Sequence, residues 1–425
     1  MTNKASKKNE YQVSKAVRDT FADLGANPEV NAALEFIKAD HVHTLNEQKE
    51  ICAISAPTFE EKSRAEDYLR RFKELGLDET RLDAIGNVLG MLKGCAEAPK
   101  LVVAAHLDTV FPAGTDTKVV EKEGIFHAPG IADDTRGLAE ILGIIRTLKQ
   151  SQIQLLGDIL FVGNVGEEGL GDLRGTKQLF NDFKDIDGFI TIDGTGVGSI
   201  TYRATGSHRY RVTFKGPGGH SYLNFGLPSA IHAAGRAIAL LADLSPPKDP
   251  LTTFTVGTIN GGTSVNTIAA QAEMLIDIRS NGREELLQLG SDILSIIKAA
   301  AAQENTHCNS DQLTVDIELL GDRPAGFQSP DEPIVQAAYA AGKLLGINSQ
   351  LGNPGSTDAN IPISLGIPAI SIGRGGTSGN IHTTNEWFDP TGAYLGPQKT
   401  LLTILALVGV KGTCPPLLKK SAANV

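Results

Sequence analysis

Leu101-Val102-Val103-Ala104-Ala105-His106-Leu107-Asp108 is the stretch on which the fold turns. Five apolar residues run without alternation, as in a strand buried on both faces, and then break into His-x-Asp. The pattern recurs. Ile159 to Val165 reads as a strand and leads into Gly166-Glu167-Glu168. Phe189 to Ile192 reads as a strand and ends at Asp193. Pro368 to Ile372 reads as a strand, and a glycine-rich loop follows it to His382. Leu138 to Leu148 reads as a helix, preceded by the loop Pro129-Gly130-Ile131-Ala132-Asp133-Asp134. Strands alternating with helices predict an α/β fold with a mostly parallel central sheet covered on both sides.

Upstream, residues after about Pro28 read as helical. Thr58 and Glu61 have the spacing of a capping box, followed by Ala65, Leu69, Phe72 and Leu75 at helical intervals. Between Gly206 and Gly321 the rhythm changes. His208–Phe214 alternates as a half-exposed strand, Ser229–Leu244 is an alanine-rich helix, and Thr252–Asn260 and Ile268–Ile278 are strands. A helix over Glu284–Ala302 and a strand over Gln312–Leu319 complete the order strand–helix–strand–strand–helix–strand, which is ferredoxin-like. The expected organisation is a domain made of residues 1–205 and 322–425, with an α+β domain, 206–321, inserted into it.

A chain of 425 residues has room for two cores. Its net charge of −10, with no basic block, argues against nucleic-acid and anionic-membrane partners. Cys52, Cys95, Cys308 and Cys414 are far apart and form no C-x-x-C pair, so free thiols are expected. Met1–Gln12 is polar and lysine-rich and is not followed by an apolar stretch, so it does not read as a secretory signal. Leu401–Val410 is too short to span a bilayer. A cytoplasmic protein is the expectation.

In an open α/β sheet, ligands bind beyond the carboxyl ends of the strands. His106, Asp108, Glu167, Glu168, Asp193 and His382 all fall at strand ends or in the loops that follow, and Asp133-Asp134 adds two carboxylates. Each fragment alone is commonplace: Glu-Glu is usually a solvated turn, and Asp-Asp a turn or helix cap. Together they crowd carboxylates that repel one another unless cations intervene. Histidines mixed with carboxylates suit zinc, cobalt or manganese better than calcium. Two such ions can share a carboxylate, polarise a carbonyl and acidify a water, leaving a free carboxylate to take its proton.

The motifs AAHLDTV, GIADDTRG, NVGEEGLGD, TIDG, GPGGHS, GGTSVNTIA, IDIRS, GSTDAN and GNIHTTNEW, in this order, resemble those of the dinuclear zinc metallo-exopeptidases. That family includes glutamate carboxypeptidase, tripeptidase (peptidase T), succinyl-diaminopimelate desuccinylase and aminoacylase. The resemblance covers nearly the whole chain apart from the first few dozen residues. It implies that His106 and Asp193 bind one metal, Glu168 and His382 the other, and that Asp133 bridges both. It implies a cis peptide at Asp133–Asp134, Glu167 as general base, and Asp108 orienting His106 from behind. The inserted domain resembles the family's lid and dimerisation domain. There His220 matches a histidine that enters the partner subunit's active site, while Asn266 and Arg279 match residues that hold the substrate carboxylate. On the residues alone, a loop histidine, a turn asparagine and an intradomain salt bridge are the plainer readings of these three.

Some positions depart from the family pattern. Ala269 stands where the family often has proline. Asp133-Asp134-Thr135-Arg136 stands where Asp-Met-Lys is common around the bridging residue, and the double aspartate itself resembles the tripeptidase branch. Ser221-Tyr222-Leu223-Asn224 is bulkier than usual. The expected enzyme is a metallo-hydrolase acting on short peptides as an exopeptidase, with N-acyl amino acids as the alternative substrate class and a homodimer formed through the lid. A nucleotide-binding oxidoreductase is disfavoured. Gly194-Thr195-Gly196-Val197-Gly198 follows a strand, but Ser199–Arg203 reads as another strand where the dinucleotide fingerprint needs a helix. A non-catalytic relative is disfavoured because no matched ligand or base is missing.

Overall fold

The computed structural model describes residues 11–420. All but the last two residues of the amino-terminal segment read for targeting lie outside that range. The α/β architecture is as expected. An eight-stranded sheet has at its centre four parallel strands, in the order Asp158–Asn164, Lys100–His106, Gly188–Gly194 and Ala369–Gly373. Antiparallel strands Val88–Leu92 and Asp78–Leu82 extend one side. Ser199–Thr201 and Gln350–Leu351 extend the other.

The unbroken apolar run at 101–105 has a direct cause. Successive side chains of a strand point to opposite faces. Leu101, Val103 and Ala105 enter the core beneath the helices Thr135–Gln150, Pro333–Leu344 and Leu395–Val408. Val102 and Ala104 enter a second core, shared with the helices Arg174–Asp182 and Asn360–Ser364. Both faces are therefore dry, and every position must be apolar. The apolar segment at 401–410 belongs to one of the covering helices, with Leu401 to Val408 fully buried. Among the described residues no helix is long and apolar enough to cross a membrane.

Two local expectations are corrected. A helix Lys15–Ala26, capped by Ser14, precedes the expected helical start near Pro28. The helix Lys62–Glu74 has Glu61 at its N-cap without a side-chain capping bond. The Thr58 hydroxyl instead donates to Asp108 Oδ2 at 2.8 Å. Thr58 lies three residues ahead of the cap position, and its hydroxyl is turned to the buried carboxylate.

The ferredoxin-like unit is present. Its four antiparallel strands lie in the order Thr252–Gly261, Gln271–Ser280, Gly206–Lys215, Thr314–Arg323. The helices Ala230–Ala242 and Arg283–His307 cover one face. Tyr210, Val212, Phe214, Met274, Ile276 and Ile278 point into that core. By the two-residue period, Arg209, Asp277 and Arg279 point to the opposite face. The last strand runs on to Arg323, so the expected boundary at 321/322 falls within it.

Candidate metal centre and its cleft

The ends of the parallel strands carry the chemistry. His106 is the last residue of its strand, and Asp193 is the next-to-last of its own. Glu167 and Glu168 follow the strand that ends at Asn164. Asp133 comes from the loop before the helix Thr135–Gln150, and the Asp133–Asp134 peptide is cis. His382 arrives from the segment after Ala369–Gly373 and has a left-handed backbone, φ 63°.

The five residues expected to bind metal converge. Asp133 Oδ1 lies 3.1 Å from His106 Nε2, and Asp133 Oδ2 lies 3.2 Å from His382 Nε2. Asp193 Oδ1 is 3.9 Å from His106 Nε2, and Glu168 Oε1 is 2.8 Å from His382 Nε2. One carboxylate thus presents its two oxygens to two imidazoles, each with a second carboxylate at its side. His106 Nδ1 is 3.0 Å from the Asp108 carbonyl oxygen. Donation of Nδ1–H to that carbonyl leaves the Nε2 lone pair facing the carboxylates. Imidazole nitrogens and carboxylates in two neighbouring groups fit a pair of borderline divalent ions.

Electrostatics bear this out. Burial opposes a charge on His106, but Asp108, Asp133 and their neighbours outweigh it and hold the imidazolium well above its usual range. Hydrogen bonds to the Asp133 and Glu168 carboxylates raise His382 to about 10. Burial also opposes ionisation of Asp133, yet Arg374 and the two imidazoles keep its carboxyl well below the ordinary range. Burial and Asp133 push Asp193 up, and burial assisted by Glu168 pushes Glu167 up despite Arg323. Protons and guanidinia here carry the positive charge that such a cluster needs.

Asp108 lies behind His106, its carbonyl oxygen against Nδ1, and its carboxylate holds a second element as well. Its Oδ1 is 3.6 Å from His106 Nδ1. The carboxylate mainly receives the backbone N–H groups of Glu167 and Glu168, each at 3.0 Å, besides the Thr58 hydroxyl. It therefore fastens the Glu167-Glu168 turn to the end of the His106 strand.

Three buried residues were not legible in the sequence. Arg374 Nη1 contacts the Ala132 carbonyl at 2.6 Å, Asp133 Oδ1 at 3.1 Å and Asp134 Oδ1 at 3.0 Å. Its Nη2 is 3.6 Å from Asp193 Oδ1. Glu386 Oε1 accepts from Ala132 N at 2.8 Å and Asp133 N at 3.0 Å, and its Oε2 accepts from Gly130 N at 3.0 Å. Arg323 bonds Glu167 through Oε1, at 3.2 Å, and through its carbonyl oxygen. Asp134 caps the helix, accepting from Gly137 N, and also accepts from His106 N. Beneath the loop, Ile131 and Ala132 share a small apolar core with Phe388.

A cleft of about 280 Å³ contains His106, Asp133, Glu167, Glu168, Asp193 and His382, and Arg209, Arg279, Arg323 and Ser356 reach it. Arg279 therefore lies at the site. His220 and Asn266 do not line it. They sit side by side, exposed, where His220 pairs with Thr267 and Ser221 N donates to the Asn266 carbonyl at 3.0 Å. Glycines 194–198 lead into a strand at Ser199, not a helix, as the sequence indicated.

The model of peptidase family M20/M25/M40 matches residues 102–404. YqjE, an uncharacterised Bacillus subtilis protein, is 29% identical over 358 residues, 80% of this chain and 92% of its own length. Carboxypeptidase G2 of a Pseudomonas species is 25% identical over 323 residues, 72% of this chain and 74% of that protein. A Staphylococcus aureus tripeptidase structure superposes with a TM-score of 0.71 at 26% identity, covering 86% of this chain and 97% of that one.

Proposed function

The chain belongs to peptidase family M20/M25/M40 and is a hydrolase, and from that premise we propose that it is a two-metal exopeptidase cleaving short peptides. The observation that carries the reading is Asp133, whose two carboxylate oxygens face His106 and His382 separately. His106, Asp193 and one oxygen of Asp133 would hold one divalent ion; Glu168, His382 and the other oxygen would hold the second. Zinc is the first choice for this donor set, with cobalt or manganese next. Bound there, the ions supply Lewis acidity to the scissile carbonyl and lower the pKa of the attacking water.

Every other step belongs to side chains. Glu167 takes a proton from the water as its oxygen adds to the carbonyl carbon. It returns that proton to the amide nitrogen as the C–N bond breaks. Arg323 fixes the Glu167 carboxylate, and Asp108 fixes its backbone. Arg279 pairs with the carboxylate of the substrate. Residues 1–205 and 322–425 form the catalytic domain in this reading, and 206–321 form the lid.

A homodimer through the lid completes the site. Tyr222, Leu223, Phe225 and Val265 are exposed apolar residues in the two loops that carry His220 and Asn266. Such a patch favours burial against a second copy, which would bring both polar residues to the neighbouring cleft. Metal analysis combined with digestion of a peptide library, read by mass spectrometry, tests the proposal. Hydrolysis of N-acyl amino acids with no cleavage of di- or tripeptides would move the assignment to an amidohydrolase.

A further inference from the structure

The cleft is lined by charged and polar groups and by Gly169, with no apolar side chain among them. Such walls offer nothing to a leucine or phenylalanine side chain. Three of the lining groups are guanidinia, from Arg209, Arg279 and Arg323. Arg323 is committed to Glu167 and to Ser356 Oγ, at 3.2 Å. The other two are organised together.

Arg209 and Asp277 are directly opposite on neighbouring strands, and Arg279 is two residues along from Asp277 on the same face. Asp277 Oδ1 accepts from Arg209 Nε at 3.1 Å, and its Oδ2 accepts from Arg279 Nε at 2.8 Å. One carboxylate thus sets two guanidinia side by side by their Nε edges. Arg209 Nη1 also donates to the Gly169 carbonyl at 2.6 Å, immediately after the expected metal ligand Glu168. Among the described residues, Arg209 Nη2 and both Nη groups of Arg279 have no hydrogen-bond partner.

Charge points the same way. Arg323 is already paired with Glu167, whereas Arg209 and Arg279 share the single charge of Asp277 and keep positive charge facing the cleft. A substrate with a single carboxylate would satisfy only one of these two guanidinia.

Building on the exopeptidase reading above, we propose that the leaving amino acid is acidic, aspartate or glutamate, with Arg279 taking one of its carboxylates and Arg209 the other. Two carboxylates on one small residue match two guanidinia hinged on one aspartate. A site built to pair charge rejects the isosteric amide, because it leaves a guanidinium desolvated and unpaired.

The test uses the metal-loaded enzyme and matched dipeptides, alanyl-glutamate against alanyl-glutamine and alanyl-aspartate against alanyl-asparagine. The acidic member of each pair is expected to have a kcat/KM higher by about 10- to 100-fold. Arg209→Gln should shrink that ratio at least tenfold, and Arg209→Lys should restore part of it. A purely structural role for Arg209 would lower both peptides equally and leave the ratio unchanged, overturning the proposal. Equal cleavage of acidic and neutral peptides by the unaltered enzyme would also overturn it, with the exopeptidase reading intact. Calorimetry with free glutamate and glutamine separates the remaining cases. If no peptide is cleaved but glutamate binds preferentially, only the exopeptidase reading fails; equal binding with no cleavage overturns both.

Discussion

Arg374 and Asp133 are joined across 241 residues of sequence, with Nη1 3.1 Å from Oδ1, and the guanidinium is almost wholly buried. The same group reaches Asp134 and Asp193. The chain thus supplies its own cation to a cluster that otherwise depends on metal. Removing one partner of a buried ion pair costs about 3–5 kcal/mol. Arg374→Met should destabilise the metal-free protein by about that amount. Much of the loss should return on adding zinc, since divalent ions then neutralise the same carboxylates. Thermal melts with and without metal read the effect: the gap between the two melting temperatures should widen relative to the unaltered protein.

Glu167→Gln should keep its metal and lose turnover by about 100- to 10,000-fold, the usual range for a general base. Metal content by elemental analysis and kcat on a cleaved dipeptide check this together. Turnover at the normal rate would sink the assignment of the base.

Glu386 acts on the backbone of the loop that carries Asp133. Glu386→Gln retains one acceptor oxygen and so cannot receive all three N–H groups. Leaving a buried N–H unpaired costs about 1–3 kcal/mol. Loss of such outer support typically weakens a metal site by about 10- to 100-fold. Competition for zinc with a coloured chelator measures the shift, and an unchanged affinity would show that the apolar core around Phe388 alone holds the loop.

His382 in the metal-free protein is raised from 6.5 to about 10, first by its hydrogen bonds to Asp133 and Glu168, and His106 is raised too. Both are therefore protonated near pH 7, and metal must expel those protons to bind. Apparent metal affinity should rise with pH between about 6 and 9. Calorimetry in buffers of different ionisation enthalpy should show proton release. For the metal-free protein the sign is opposite: a histidine raised on folding contributes stability that is complete below pH 6.5 and is lost as pH climbs through about 10. Chelated protein should accordingly melt lower at pH 9 than at pH 6.5.

The catalytic architecture was legible because burial on both faces leaves a plain trace. Leu101–Ala105 can be uniformly apolar only if helices cover both sides, and polar residues can then appear only where the strand ends. The lid was legible through the alternation in His208–Phe214. The helix Lys15–Ala26 was readable too, since Val17, Phe21 and Leu24 recur at helical spacing behind Ser14. Thr58 misled because Thr-x-x-Glu has the form of a cap, while the partner of its hydroxyl is a carboxylate fifty residues away. Arg374 and Glu386 left no trace of their partners. A lone arginine among glycines and a glutamate past His382 have no periodicity, and their contacts are set by how loop 129–134 lies against the sheet.

The segment from Arg374 to Phe388 supplies a cation to Asp133 and Asp134, an imidazole, a backbone clamp and an apolar wedge, all to parts of the protein made far earlier. During synthesis on the ribosome, a nascent chain that has emerged only past Asp193 holds three crowded aspartates with neither their guanidinium nor the second imidazole. The site is therefore complete only in the final part of translation, once residues 374–388 have joined it.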